Sequence, residues 1–291
     1  MKRTHKKLLP LAGLAGFVIA ATSASAATTA YRNLVLGDNP IVYYEFDETI
    51  GTTAANSATT GATYTGTFNT AGGSISVGQS SFAQGGTAYD FGGGFIGAAS
   101  ALTSSLSEWS VEAWVNYDSA KSSASNFLSN DQGGWNNDVL IGIGPEAGNE
   151  VPGGSVGVVQ QGSPGTTRDA AGGLLGADTW HHVVLTGSTT AGEMAVYIDG
   201  VLAGSDTDLV NGATFNGADG FGTANLTIGA ARPNSANAGY RPYDGLLDEL
   251  AIYDSVLTPA QISSHANATI PEPGSTLLLA LGSLVLMRRR R

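Results

Sequence analysis

The segment WSVEAWVNY, Trp109 to Tyr117, puts Val111, Ala113 and Val115 on one side and Glu112, Trp114 and Asn116 on the other. That period of two belongs to a strand with one apolar face turned to a core. Similar short runs recur down the chain: IVYYEFDE (Ile41 to Glu48), NFLSN, DVLIGIG, GSVGVVQQ, TWHHVVLTGS (Thr179 to Ser188), EMAVYIDGVLAGS (Glu193 to Ser205), NLTIGAA and GLLDELAIYD (Gly245 to Asp254). Gly and Asn clusters separate them, and no long stretch holds a helical period. Many short strands with turn signals between them describe an all-β, two-sheet antiparallel sandwich. The chain has no cysteine, so its own core must hold such a fold together.

Local signals refine this pattern. In IVYYEFDE, Tyr44 and Phe46 share one face and Tyr43, Glu45 and Asp47 the other. Asp199-Gly200 predicts a two-residue hairpin, because both residues tolerate the positive φ such a turn requires. TPAQISSHA, Thr258 to Ala266, is the one helical pattern in the body, with Thr258 as cap and Pro259 at the first helical position. Two Gly/Ser/Thr/Asn-rich stretches, Thr52 to Ala88 and Asp206 to Thr223, read as surface loops.

The amino end reads as a secretory signal, and the carboxyl end is set apart from the body by its composition. Lys2, Arg3, Lys6 and Lys7 precede an apolar stretch from Leu8 to Ala21, and Ala24 and Ala26 supply the small residues of a signal-peptidase site. The other end reads IPEPGSTLLLALGSLVLMRRRR. Pro271-Glu272-Pro273 leads into the uncharged stretch Gly274 to Met287, and Arg288, Arg289, Arg290 and Arg291 follow. The stretch falls short of the ~20 residues of a comfortable span. The arginines would hold its end on the cytoplasmic side during export. Transient membrane contact through a disposable label is the expectation; a retained anchor is the other reading. The expected organisation is a signal helix over 1–26, one domain over 27–268, and a sorting segment with a short apolar helix over 269–291.

Without its ends the chain is strongly acidic. Five basic residues remain (Arg32, Lys121, Arg168, Arg232 and Arg241) against twenty-three acidic ones, a net charge of −18. Such a field repels nucleic acid and favours divalent cations. Aromatic residues in polar loops suit a sugar site: Trp135 beside Asp131, Asn136 and Asn137, and Tyr240 and Tyr243 beside Arg241. The competing reading has these aromatics capping the ends of the core. His181 and His182 are adjacent on a strand, so one faces in and one out, which does not suit a metal pair.

Four pieces in order resemble the laminin G-like, concanavalin A-like jelly-roll family: PIVYYEFDETIG, WSVEAWVNY, WHHVVLTGSTTAGEMAVYIDGVLAGS, and LTIGA followed by YDGLLDELAIYDSVLTPAQISSHA. The resemblance implies a jelly roll over about Asn39 to Ala268. It also implies one structural Ca²⁺, with Asp47 and Asp248 as candidate ligands from the first and last strands. Glycosidases of this fold need two carboxylates facing across a cleft, typically from one strand. Asp248 and Glu249 are adjacent and are expected on opposite faces, so no catalytic pair is read. The C-terminal triplet, apolar stretch and arginines resemble the PEP-CTERM sorting signal. That implies an exosortase as partner, and delivery to the surface or extracellular matrix of a Gram-negative bacterium. The combined expectation is a non-catalytic module that binds polysaccharide or other matrix. The alternatives are a glycoside hydrolase of the same fold and a purely structural matrix protein.

Overall fold

The computed structural model describes residues 29–83, 86–102, 106–118, 125–130, 138–144, 155–162, 166–188, 190–207, 225–231 and 241–268. A first helix, α1, covers residues 29–37. It was not anticipated from the sequence. Tyr31 and Val35, one turn apart, are its buried face, and Asn39 at φ +56° followed by Pro40 ends it.

Among the described residues sixteen strands follow. They are β1 (Val42–Tyr44), β2 (Thr53–Ala54), β3 (Gly66–Asn69), β4 (Ser74–Ser80), β5 (Thr87–Gly92), β6 (Phe95–Ala101), β7 (Glu108–Tyr117) and β8 (Ser125–Ser129). Then come β9 (Asp138–Ile143), β10 (Ser155–Gly162), β11 (Thr166–Leu174), β12 (His181–Ser188), β13 (Glu193–Ile198), β14 (Val201–Asp206), β15 (Asn225–Ile228) and β16 (Asp244–Tyr253). A 3₁₀ turn occupies Gly61–Tyr64 between β2 and β3, and helix α2 (Pro259–Asn267) closes the body. Thr52 to Ala88, read as a loop, therefore carries β2, β3, β4 and the start of β5. Of the other predicted loop, residues 208–223 lie outside the described residues, as do the signal and C-terminal apolar helices.

The strands form two eight-stranded antiparallel sheets, the two layers of a jelly-roll sandwich. One runs β14-β13-β12-β7-β16-β5-β4, with β1 also paired to β16; the other runs β11-β10-β9-β8-β15-β6-β3-β2. The predicted alternation in β7 holds. Val111, Ala113 and Val115 enter the core between the sheets with Phe91, Trp109, Phe127 and Tyr243. Burying each of the Val and Phe side chains contributes about 1.5–3 kcal/mol. The Asp199-Gly200 turn joins β13 to β14 with φ +51° and +81°, as its sequence predicts.

A second apolar layer lies on the outer face of the first sheet. Tyr43, Trp114, Val184 and Tyr253 are covered there by Tyr31 and Val35 of α1 and Ile262 of α2. Phe82 stacks on Trp114 with ring centroids 4.2 Å apart. Thr258 caps α2 as predicted, and the cap is reciprocal: Gln261 N–H donates to Thr258 Oγ1, and Thr258 N–H to Gln261 Oε1 at 2.9 Å. Among the described residues no helix is long and apolar enough to cross a membrane.

Candidate functional site

Strand β16 changes partners partway along. Asp244 to Leu247 pair with β5, and Leu250 to Ile252 pair with β1. Between them the register with β7 shifts, and Glu249 adopts φ +51°. Leu247 and Leu250 both enter the inter-sheet core, so Asp248 and Glu249 bulge together to the outer face. Both lie close enough to Tyr31 to raise its phenol pKa, after the larger effect of its burial and the charge of Glu112. The sequence expectation that these two carboxylates point to opposite faces is thereby corrected.

The bulge makes a buried acidic cluster. Asp248 is 1% exposed; its Oδ2 accepts from Ser81 Oγ at 2.5 Å, while its Oδ1 is buried with no hydrogen-bond partner. Glu249 accepts from the Tyr43 hydroxyl. Burial pushes both carboxyls well above the usual range, and nearby negative charge adds to it: Asp47 and Glu45 act on Asp248, and Asp248 on Glu249. Asp47 stands at the rim, where its Oδ1 accepts from Thr87 N–H at 2.8 Å. Partial burial raises its carboxyl too, with help from Glu45 and Glu48. The two predicted Ca²⁺ ligands thus share one electronegative region, and the orphaned Oδ1 suits a hard cation. No set of three His, Asp or Glu side chains among the described residues converges to hold a metal ion.

A second buried centre was not foreseen. Glu112, outward from β7, is fully enclosed beneath α2. Its Oε2 lies 2.9 Å from His265 Nδ1 and 3.3 Å from His182 Nε2, and the Tyr253 hydroxyl donates to its Oε1. His265 Nε2 reaches Asp38 at 3.1 Å, beside the end of α1. Burial opposes the Glu112 charge, but its histidine partners outweigh burial and lower its pKa to about 2. Burial likewise opposes the charge on His265; Glu112 and Asp38 prevail and raise its pKa. His181 points the other way and pairs with Asp199 at 2.9 Å, the split that strand alternation predicts for the two histidines. An acid, Glu112, in the middle of the apolar run of β7, with a histidine pair downstream, was the available signal.

The predicted sugar-site residues fare differently. Tyr243 is not a loop platform. It is fully buried at the edge of β16, its ring edge-on to Phe91 and Phe127 and its hydroxyl donating to Leu246 O at 3.2 Å. An aromatic whose polar tip finds a backbone acceptor is a core residue. Arg241 is half-buried at φ +52°, and its carbonyl accepts from Asn126 N–H. Trp135, Asn136, Asn137, Tyr240 and Asp131 lie outside the described residues. So do Ala24 and Ala26, Pro271, Glu272 and Pro273, and Arg288 to Arg291.

A groove opens on the outer face, where α1 and α2 stop covering it. It measures about 410 Å³ and runs between the start of α2 and the ends of β7, β12 and β13. Glu108, Ser188, Glu193 and Tyr197 form its floor, and Val256 and Pro259 its wall.

Residues 90–263, more than half of the chain, match the family described as the concanavalin A-like lectin/glucanases superfamily, and the protein belongs to that family. Residues 269–291 match the PEP-CTERM protein-sorting motif, which marks an exported protein of a Gram-negative bacterium sorted by an exosortase. The chain is similar to domain 4 of AbnA, a GH43 extracellular arabinanase from Geobacillus stearothermophilus, solved with arabinotriose. Identity is 23% and the TM-score 0.56, over 78% of this chain and 98% of that one. The botulinum neurotoxin serotype C1 binding domain is similar at 11% identity and TM-score 0.54, over 81% of this chain and 53% of that one. These likenesses show the fold. A rat protein, sushi, von Willebrand factor type A, EGF and pentraxin domain-containing protein 1, is 33% identical over 92 residues. That match covers 31% of this chain and only 2% of the rat protein.

Proposed function

We propose that this protein is a non-catalytic glycan-binding domain held at the cell surface or in the extracellular polysaccharide. The observation that carries this reading is the fate of the outer-face acids in the middle of the first sheet. Glu112, Asp248 and Glu249 are all buried and hydrogen-bonded to neighbouring side chains. Glycoside hydrolysis needs two carboxylates flanking the bond, with access to sugar and water. These three would meet a polymer only after their cover had been stripped away. The likeness over a whole domain to one solved with arabinotriose supports binding. The same reading includes a structural Ca²⁺ held by Asp248 and Asp47, favoured by the orphaned Asp248 Oδ1.

A glycan array probed with the exported protein, with and without chelator, tests this. Retention on a defined class of polysaccharide, with no release of reducing ends from it, is the expected result. Released reducing ends would make the protein a hydrolase. Absence of binding at high protein concentration would leave a purely structural matrix protein.

A further inference from the structure

We propose that the groove beside α2 is a binding site for a glycan that carries protonated amino sugars, an inference that rests on the glycan-binding reading above. Its floor is set by strand register. Ser188 of β12 stands directly opposite Glu108 of β7 on one side and Glu193 of β13 on the other. Two carboxylates therefore flank one hydroxyl across three strands. At ~4.8 Å per strand their backbones stand about 10 Å apart, room for one sugar ring between them. Four residues further along β13, and so on the same face, is Tyr197. The volume of about 410 Å³ falls within the range of small-ligand sites.

The chemistry selects the ligand. Ser188 Oγ donates to Glu108 Oε1 at 2.7 Å and accepts from Ala191 N–H at 2.9 Å, which fixes the Glu108 carboxylate at the floor. Among the described residues no Lys, Arg or His pairs with Glu108 or Glu193. An ammonium group on a sugar supplies the missing charge through charge-assisted hydrogen bonds. The Tyr197 ring adds an aromatic surface further along the same groove. Val256, at 39% exposure, and Pro259 give the wall an apolar surface for the C–H edge of a pyranose. Uronate or sulfated glycans meet two carboxylates and a body charge of −18, and are repelled.

Calorimetry on the full exported protein tests the site with three tetrasaccharide probes: fully deacetylated glucosamine, fully acetylated N-acetylglucosamine, and a uronate. The expected result is binding of the glucosamine oligomer at least tenfold tighter than the acetylated one, no binding of the uronate, and weakening by salt. Glu108→Gln with Glu193→Gln should cost tenfold or more. Val256→Lys, which sets a cation at the exposed rim, should cost as much and serves if the acidic variant melts early. Equal binding of glucosamine oligomer by wild type and both variants overturns the groove and leaves the glycan-binding reading standing. Acetylated oligomer binding as tightly as the amino form overturns the charge assignment. If no glycan of any class binds here or on the array, the broader reading falls as well.

Discussion

Nδ1 of His265 stands 2.9 Å from Oε2 of Glu112, tying the last helix of the body to the middle of its central strand. The other ring nitrogen reaches Asp38 beside the first helix. One imidazole thus bridges α1, β7 and α2 beneath an apolar cover. Its charge is held between two carboxylates.

The pH dependence of stability follows from these groups and the β16 bulge. His265 has a raised pKa in the fold, so its stabilisation is complete below 6.5 and is lost as pH rises through the raised value. Asp248 and Glu249 are also raised, so the folded chain keeps protons that the unfolded chain releases above about 3.8 and 4.5. Their effect likewise fades as pH rises. Glu112 runs the other way: its stabilisation is complete above 4.5 and lost as pH falls towards about 2. In chelator, the melting temperature should be highest near pH 4.5 and fall on both sides. A melting temperature that climbs steadily from pH 6 to 9 would contradict this.

Replacing His265 by Ala strips Glu112 of its closest cation. Breaking a buried pair in this way costs about 3–5 kcal/mol. Urea unfolding at pH 6 should show that loss, and the variant's decline in stability between pH 6 and 9 should be shallower than wild type's.

If Ca²⁺ fills the acidic cluster, it stabilises by mass action. At a hundredfold excess over Kd the gain is about 2.7 kcal/mol. Melting should shift upward in Ca²⁺ and back in chelator. Asp248→Asn should abolish the shift, and a variant that keeps it would place the ion elsewhere.

Gly187 faces Trp109 in the cross-strand pair of β12 and β7. A Cβ at Gly187 would fall 2.4 Å from the indole Cε2, and the buried ring has no room to retreat. Gly187→Ala should destabilise by about 1–3 kcal/mol. Gly97 on β6, where a Cβ meets nothing within 4 Å, is the control, and Gly97→Ala should be neutral or gain up to ~1 kcal/mol. Equal losses at both positions in chemical denaturation would refute the steric argument.

Thr258 caps α2 reciprocally with Gln261. Thr258→Ala should lower stability by ~1 kcal/mol. Thr258→Asn, which keeps a capping acceptor, should recover most of it in the same melts.

Much of the fold was legible locally. The two faces of β7, the Asp199-Gly200 turn and the Thr258 cap follow from residues within a few positions of one another. Thr52 to Ala88 misled because β4, SISVGQS, is an edge strand with neither face fully buried, so it needs little apolar content. The shared face of Asp248 and Glu249 left no local trace. It arises because β5 and β1 divide β16 between them, which only tertiary pairing decides. The Glu112 centre joins residues from four elements, and Tyr243 owes its burial to Phe91 and Phe127 on two other strands. Sequence periodicity assigns a face but not what covers it.

The pairing of β1 with β16, secured by the bridge from Asp38 to His265, also bears on when the body can acquire its structure. A contact between residues 38 and 265 closes a loop of nearly the whole domain. Such closure carries a high entropic cost and makes folding slow. A chain threaded through a membrane from its amino end cannot complete the first sheet until residue 265 has emerged. If export threads the chain in this way, translocation handles an incompletely folded polypeptide, and the first sheet is completed only a few residues before the sorting segment arrives.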